Sequence, residues 1–147
     1  MTHGLDTGFL VAAEVAEHPS HARARAILSE RLAAGDQLAI TPQVLAEFIH
    51  IVTDGRRFSK PLPVSEAIRL AEQWWSAREV TQVFPGDRAV RQFLEWLRHH
   101  ALGRKRLLDT LLAATYSEAS ISSVLTTNPG DFAVFGCFAC VVPLSAP

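Results

Sequence analysis

Cysteine is scarce in this chain: two residues in 147, Cys137 and Cys140. Two thiols three positions apart make no disulfide framework. Without a second pair they are half of a zinc site, so reduced structural thiols are expected. Lysine is scarcer than arginine, two against twelve, and 14 cationic residues face 15 acidic ones. A net charge of −1 excludes a global basic field, so any nucleic-acid contact must come from local patches. No apolar run approaches ~18 residues. No charged segment followed by an apolar stretch opens the chain as a leader would. The expectation is a cytoplasmic protein with no membrane contact.

What is present suits one globular domain over residues 1–147. A chain of this length buries roughly 70% of its unfolded surface without staples. Apolar residues make up 48% and charged residues 20%, as in ordinary globular proteins. Short apolar runs alternate with helical patterns. Strands are predicted at 3–6, 37–41, 79–84, 122–126 and 139–143. Helices are predicted from Gly8 to about Ala16, Pro19 to Ala34, Pro42 to Val52, Val64 to Ala77, Asp87 to His100 and Leu107 to Ala119. A turn is expected at 128–132. In the fifth helix Val90, Phe93, Leu94 and Leu97 form the expected apolar face. The alternation predicts an α/β fold, a four- to five-stranded parallel sheet with helices on both faces. Trp74, Trp75 and Trp96 read as core or interface, and His3, His18 and His21 lack metal-ligand spacing.

The chemistry lies in acids placed at element ends. Asp6 follows the first strand, with Thr7 and Gly8 behind it. A carboxylate there caps the next helix and also sits at the carboxyl edge of a parallel sheet, where such folds bind ligands. Gly8 is expected to let the backbone turn closely behind it. Glu47 borders the apolar stripe of Val44, Leu45, Phe48, Ile51 and Val52. Asp109 lies in the first turn of its helix, bordering a stripe of Leu107, Leu108, Leu111 and Leu112. Asn128 and Asp131 follow the fourth strand. Acids gathered without a cation repel strongly, so Mg²⁺ or Mn²⁺ is the natural occupant.

Taken in order, these segments resemble the motifs of PIN-domain nucleases. They are Leu-Asp-Thr-Gly-Phe-Leu at 5–10, Thr-Pro-Gln-Val-Leu-Ala-Glu-Phe at 41–48, Arg-Leu-Leu-Asp-Thr-Leu-Leu-Ala-Ala-Thr at 106–115, and Leu-Thr-Thr-Asn-Pro-Gly-Asp-Phe at 125–132. Spacing and size resemble in particular the toxins of VapBC toxin–antitoxin pairs. The resemblance implies metal-binding roles for Asp6, Glu47 and Asp109, with Asn128 where many members carry aspartate. Asp131 is expected to share in the site. Thr7 and Thr127 are expected to hydrogen-bond the acids or metal-bound water. It further implies hydrolysis of RNA to a 5′-phosphate and a 3′-hydroxyl, a homodimer, and a cognate antitoxin whose tail enters the site. Helices 64–77 and 87–100 are the surfaces expected to serve those partners.

Substrate phosphates near so many acids need cations. Arg56 and Arg57 follow the Glu47 helix, and Arg104, Lys105 and Arg106 precede Asp109. A dehalogenase-type phosphatase would need a second acid where Gly8 stands, and a receiver domain an acidic pair and a late lysine. The alternative kept is a PIN-like module that binds RNA or a partner without cutting, favoured by the uncharged Asn128.

Overall fold

The computed structural model describes residues 1–144. The elements run β1 (Thr2–Leu5), α1 (Thr7–Glu14), α2 (His21–Ala33), β2 (Gln37–Ile40), α3 (Pro42–Val52), α4 (Val64–Ser76) and β3 (Val80–Gln82). Then follow α5 (Asp87–His99), a 3-10 turn (Arg104–Arg106), α6 (Leu107–Glu118), β4 (Ser123–Leu125), α7 (Gly130–Ala133) and β5 (Ala139–Val141). The five strands form one parallel sheet in the order β3-β2-β1-β4-β5. The chain thus steps outward from β1 to β3, then returns to the other side of β1. The two excursions carry separate helix groups, α1 to α4 packed on one another and α5 on α6, as right-handed crossovers run in opposite directions require. The reversal opens a crevice at the carboxyl ends of β1 and β4.

Burial follows from this order. The last three residues of β1 and β2, and all of β4, are buried, as central parallel strands covered on both faces require. The edge strand β3 exposes Thr81 and Gln82, and polar edges discourage further pairing. Trp74, Trp75 and Trp96 are partly buried and pack against the core, as expected. Both cysteines are free thiols. No helix among the described residues is long and apolar enough to cross a membrane.

Tyr116 of α6 is the pillar of the sheet. It is fully buried, and its hydroxyl donates to the carbonyls of Leu5, at 2.6 Å, and Ala39, at 3.2 Å. The ring lies so close to β1 that a Cβ on Gly4 would meet Cε2 at 2.6 Å. Glycine at that position is therefore a packing requirement. The tie grips the peptide just before Asp6. At the other end of the sheet, buried His3 bonds Ser123 Oγ at 2.7 Å and Asp36 Oδ2 at 2.9 Å, joining β1, β4 and the turn into β2.

Several local expectations need correction. Helix α2 starts at His21, because Pro19 and Ser20 stay in the preceding turn. Residues 130–133 close into the short helix α7 rather than an open turn. On α5 the buried contact is Ala89, while Val90 and Leu94 are 43% and 50% exposed. A small residue lets α5 lie close on α6; Phe93 and Leu97 of the expected stripe stay half-buried, and Val90 and Leu94 turn outward.

Replacing Tyr116 with Phe removes the hydroxyl that both carbonyls share. The expected loss is about 1–2 kcal/mol, read as a lower urea midpoint at unchanged slope.

Candidate active site

Asp6 is held at the crevice by three hydrogen bonds. Its backbone N–H donates to Leu125 O at 3.0 Å, continuing the β1–β4 ladder by one residue. Its Oδ1 accepts from Thr7 N–H at 2.9 Å, the cap of α1. Its Oδ2 accepts from the Thr126 hydroxyl at 2.7 Å, across the switch point. Capping and site placement are thus one arrangement. Asp6 as a residue is only 6% exposed, yet it lines an open cavity of about 360 Å³.

Glu47, Asp109, Asn128 and Asp131 line the same cavity. Thr41 caps α3 through Val44 N–H, and Pro42 opens its first turn, so Glu47 projects from the second turn. Its two oxygens are engaged separately: Gln43 Nε2 donates to Oε1 at 2.9 Å, and Thr7 Oγ1 to Oε2 at 3.4 Å. Gln43 Nε2 also reaches Leu108 O at 2.9 Å, tying α3 to the start of α6 beside Asp109. Asn128 N–H donates to Thr126 Oγ1 at 2.9 Å, so one threonine orders both the acid of β1 and the loop after β4.

The electrostatics are those of crowded acids. Burial, then repulsion from Asp131 and Glu47, raises the Asp6 carboxyl to about 6 against its two hydrogen bonds. Burial also raises Asp109 to about 6, with repulsion from Asp131, Asp6 and Glu47 opposed by Arg106. Arg106 Nε lies 4.0 Å from Asp109 Oδ2 and 3.8 Å from Asp131 Oδ1, and Nη2 donates to Asp131 O at 2.7 Å. Among the described residues, no three His, Cys, Asp or Glu side chains are gathered closely enough to hold one metal ion. The carboxylates ring a shared cavity and do not converge on a point, as like charges do.

A profile described as the PIN domain matches residues 5–135, nearly all of the chain and every element that lines the cavity. The chain belongs to the PIN domain family. Among curated PIN relatives, ribonuclease VapC43 of Mycobacterium tuberculosis is 35% identical over 111 residues, covering 75% of each chain. Ribonuclease VapC31 of the same species is 32% identical over 84 residues, 57% of this chain and 59% of that protein's length. Solved structures share the fold at lower identity. The sarcin–ricin loop cleaving toxin VapC20 of M. tuberculosis aligns over 99% and 100% of the two chains, with a TM-score of 0.70 and 19% identity. VapBC2 of Rickettsia felis, bound to a promoter DNA fragment, aligns over 97% and 98% with a TM-score of 0.67 and 21% identity.

Within this PIN domain the expected side chains divide. Asp6, Glu47, Asp109, Asn128, Asp131, Thr7, Thr127 and Arg57 all line the cavity. Arg56, Arg104 and Lys105 are exposed outside it, and Arg56 turns back on Asp54. Arg106, expected to contact RNA, lies beside Asp131 and Asp109 and donates to the Asp131 carbonyl. The hydroxyl on Asp6 belongs to Thr126, not Thr127. Thr127 Oγ1 occupies the space beside Gly8, 2.4 Å from where a Cβ would stand. Gly8 therefore makes room for Thr127 within α1 and forms no turn. The stripe assigned to α6 holds only in its second half: Leu112 is buried and Leu111 half-buried, but Leu107 and Leu108 are exposed, and Thr110, Ala113 and Tyr116 are buried in their place. Gln43 was missed; its place four residues before Glu47 on one helix face was the available signal.

The raised Asp109 pKa fixes the sign of a stability test. Between about pH 4 and 6 the folded chain holds a proton that the unfolded chain has lost, so stability falls as pH rises through that window. Asp109→Asn, without divalent cations, is expected to unfold at higher temperature than wild type at pH 7.5. The gain is on the order of 1 kcal/mol after allowing for solvent screening, or about 3 °C, and it vanishes near pH 4. Differential scanning calorimetry across that range checks it.

Proposed function

We propose that the chain is a divalent-metal-dependent endoribonuclease, the toxin of a type II toxin–antitoxin pair, which hydrolyses RNA phosphodiesters. One observation carries this reading: Asp6, Glu47, Asp109, Asn128 and Asp131 come from four separate segments to one cavity at the switch point of the sheet. Ribonuclease relatives at 32–35% identity support it, and the VapBC neighbours support a cognate antitoxin. A homodimer and a cytoplasmic location agree with the same reading.

The donor chemistry fits Mg²⁺ or Mn²⁺. All groups are oxygens, hard donors suited to such ions, and two carboxyls are destabilised in their charged form by burial and then by repulsion from their acidic neighbours. Asp6, Glu47 and Asp109 would hold the ion, with Asn128 and Asp131 beside them. Closing that set on one ion requires side-chain rotation, because no three acids are gathered closely enough here. A bound divalent ion supplies an activated water and charge stabilisation at the phosphate.

The chain's own residues do the positioning. Thr126 and the Thr7 N–H fix the Asp6 carboxylate, and Gln43 and Thr7 fix that of Glu47. Arg106 holds the α7 turn, and with it Asp131, against the start of α6. No side chain is needed as a nucleophile.

Purified protein with single-stranded RNA and Mg²⁺ is expected to yield 5′-phosphate ends, and chelation to stop cleavage. Asp6→Asn should lose more than about a hundredfold in activity, and Thr126→Val about ten- to a hundredfold, since it only orients the acid. RNA that is bound but left intact by wild type in Mg²⁺ would replace this reading with that of a binding module. Because Asp6 and Asp109 titrate near 6, protons compete with the ion below that pH. The rise in melting temperature on adding Mg²⁺ should therefore shrink from pH 7.5 to pH 5.

A further inference from the structure

The acids occupy only part of the cavity wall. Another part is of different chemistry: His18 from the turn between α1 and α2, Arg57 and Phe58 from the loop after α3, and the side chains of Val11 and Ile51. Among the lining residues Arg57 is the one arginine or lysine, and Phe58 the one aromatic ring besides the imidazole. A cation and an N–H donor suit a phosphate, and a ring on an apolar floor suits the face of a base, so together they match a nucleotide.

His18 is held in a defined state. Its Nδ1 accepts the Ser20 N–H at 3.0 Å, so the neutral ring carries its proton on Nε2. Burial and the neighbouring His21 lower its pKa, which keeps the ring neutral and donating at pH 7. His21 is itself fixed, with Nδ1 2.9 Å from Ala12 O. Arg57 approaches Asp54 only at 4.0 Å and stays largely exposed, so its guanidinium remains free to meet a phosphate. Phe58 packs partly on the core, which gives the ring a fixed seat. A cavity of about 360 Å³ is at the low end of the ~300–1,000 Å³ of small-molecule sites. It admits one nucleotide, not a duplex whose bases are stacked away.

We infer that His18, Arg57 and Phe58 form a subsite for one unpaired nucleotide flanking the cleaved bond, its base on Phe58 and its phosphate between Arg57 and His18. The subsite rests on the nuclease reading and extends it: it makes the substrate single-stranded at that position and assigns the contacts. Within the loop it separates Arg57 from Arg56, which lies outside the cavity.

The test is steady-state cleavage of a labelled single-stranded RNA oligonucleotide whose cut site has been mapped. Each nucleotide beside the cut is then replaced in turn by an abasic ribose. In wild type, one abasic position is expected to raise KM roughly tenfold with kcat unchanged, the size of a lost base–aromatic stack. Phe58→Leu, which keeps the apolar seat, should raise KM similarly on intact RNA and add nothing on that abasic RNA. Arg57→Gln should lower the salt dependence of KM by about one phosphate contact. Losses that multiply in the combined case, or an abasic series in wild type with no sensitive flanking position, overturn the subsite while leaving the nuclease intact. The abasic series needs no variant, so it decides the matter even if Phe58→Leu folds poorly. Wild-type protein that cleaves no RNA overturns the nuclease reading and the subsite together.

Discussion

Like charges brought together in a partly dry cavity set the terms for this protein. Four carboxylates share one wall, and two of them are pushed up to about 6 by burial and mutual repulsion. Such a group is held only if the surrounding fold is rigid enough to oppose the repulsion. The hydrogen bonds on Asp6 and Glu47 do so from four directions: the Thr7 N–H, the Thr126 and Thr7 hydroxyls, and the Gln43 amide. The same repulsion makes a cation the favourable partner, so the cost of assembling the site becomes the basis of its chemistry.

The sheet order supplies the rigidity. β1 lies between β2 and β4, and the backbone ladder runs one residue past it, to Asp6 N–H on Leu125 O. Below that point Tyr116 ties the Leu5 carbonyl to that of Ala39, with its ring against Gly4. One tyrosine from α6 thus braces two strands from the opposite end of the chain, immediately behind the acid. The loop after β4 is fixed through Thr126, which also serves Asp6. Positioning of charge and stability of fold run through the same few contacts.

Much of this was legible in the residues. The alternation of short apolar runs with helical patterns gave the parallel sheet, and the Thr41-Pro42 start placed α3. Asp6, Asp109, Asn128 and Asp131 stood out by position at or just after element ends, Glu47 by its place bordering an apolar stripe, and all five line the cavity. What failed was local and had a common cause. Thr126 and Thr127 are neighbours of one type, and only the strand end decides which faces Asp6. Leu107 and Leu108 looked like core, but α6 buries its small and hydroxyl face against the sheet. Val90 and Leu94 fit an apolar stripe, yet Ala89 makes the close contact. Periodicity gives the shape of a stripe without the neighbour it meets. Arg106, expected beside the substrate, lies between two acids, its Nε 4.0 Å from Asp109 Oδ2 and 3.8 Å from Asp131 Oδ1.

By itself the sequence determined the class of fold, the order of its elements and the set of acids with their chemistry, because strand and helix periods and residue types are local properties. Tertiary structure alone decided which hydroxyl holds Asp6, that Gln43 ties α3 to the Leu108 carbonyl, that Gly8 yields space to Thr127, and that His18, Arg57 and Phe58 complete the same cavity. Those facts depend on where β1 and β4 meet and on how far one side chain reaches toward another across the sheet edge. Distances between residues remote in the chain are set by packing, and no local pattern encodes them.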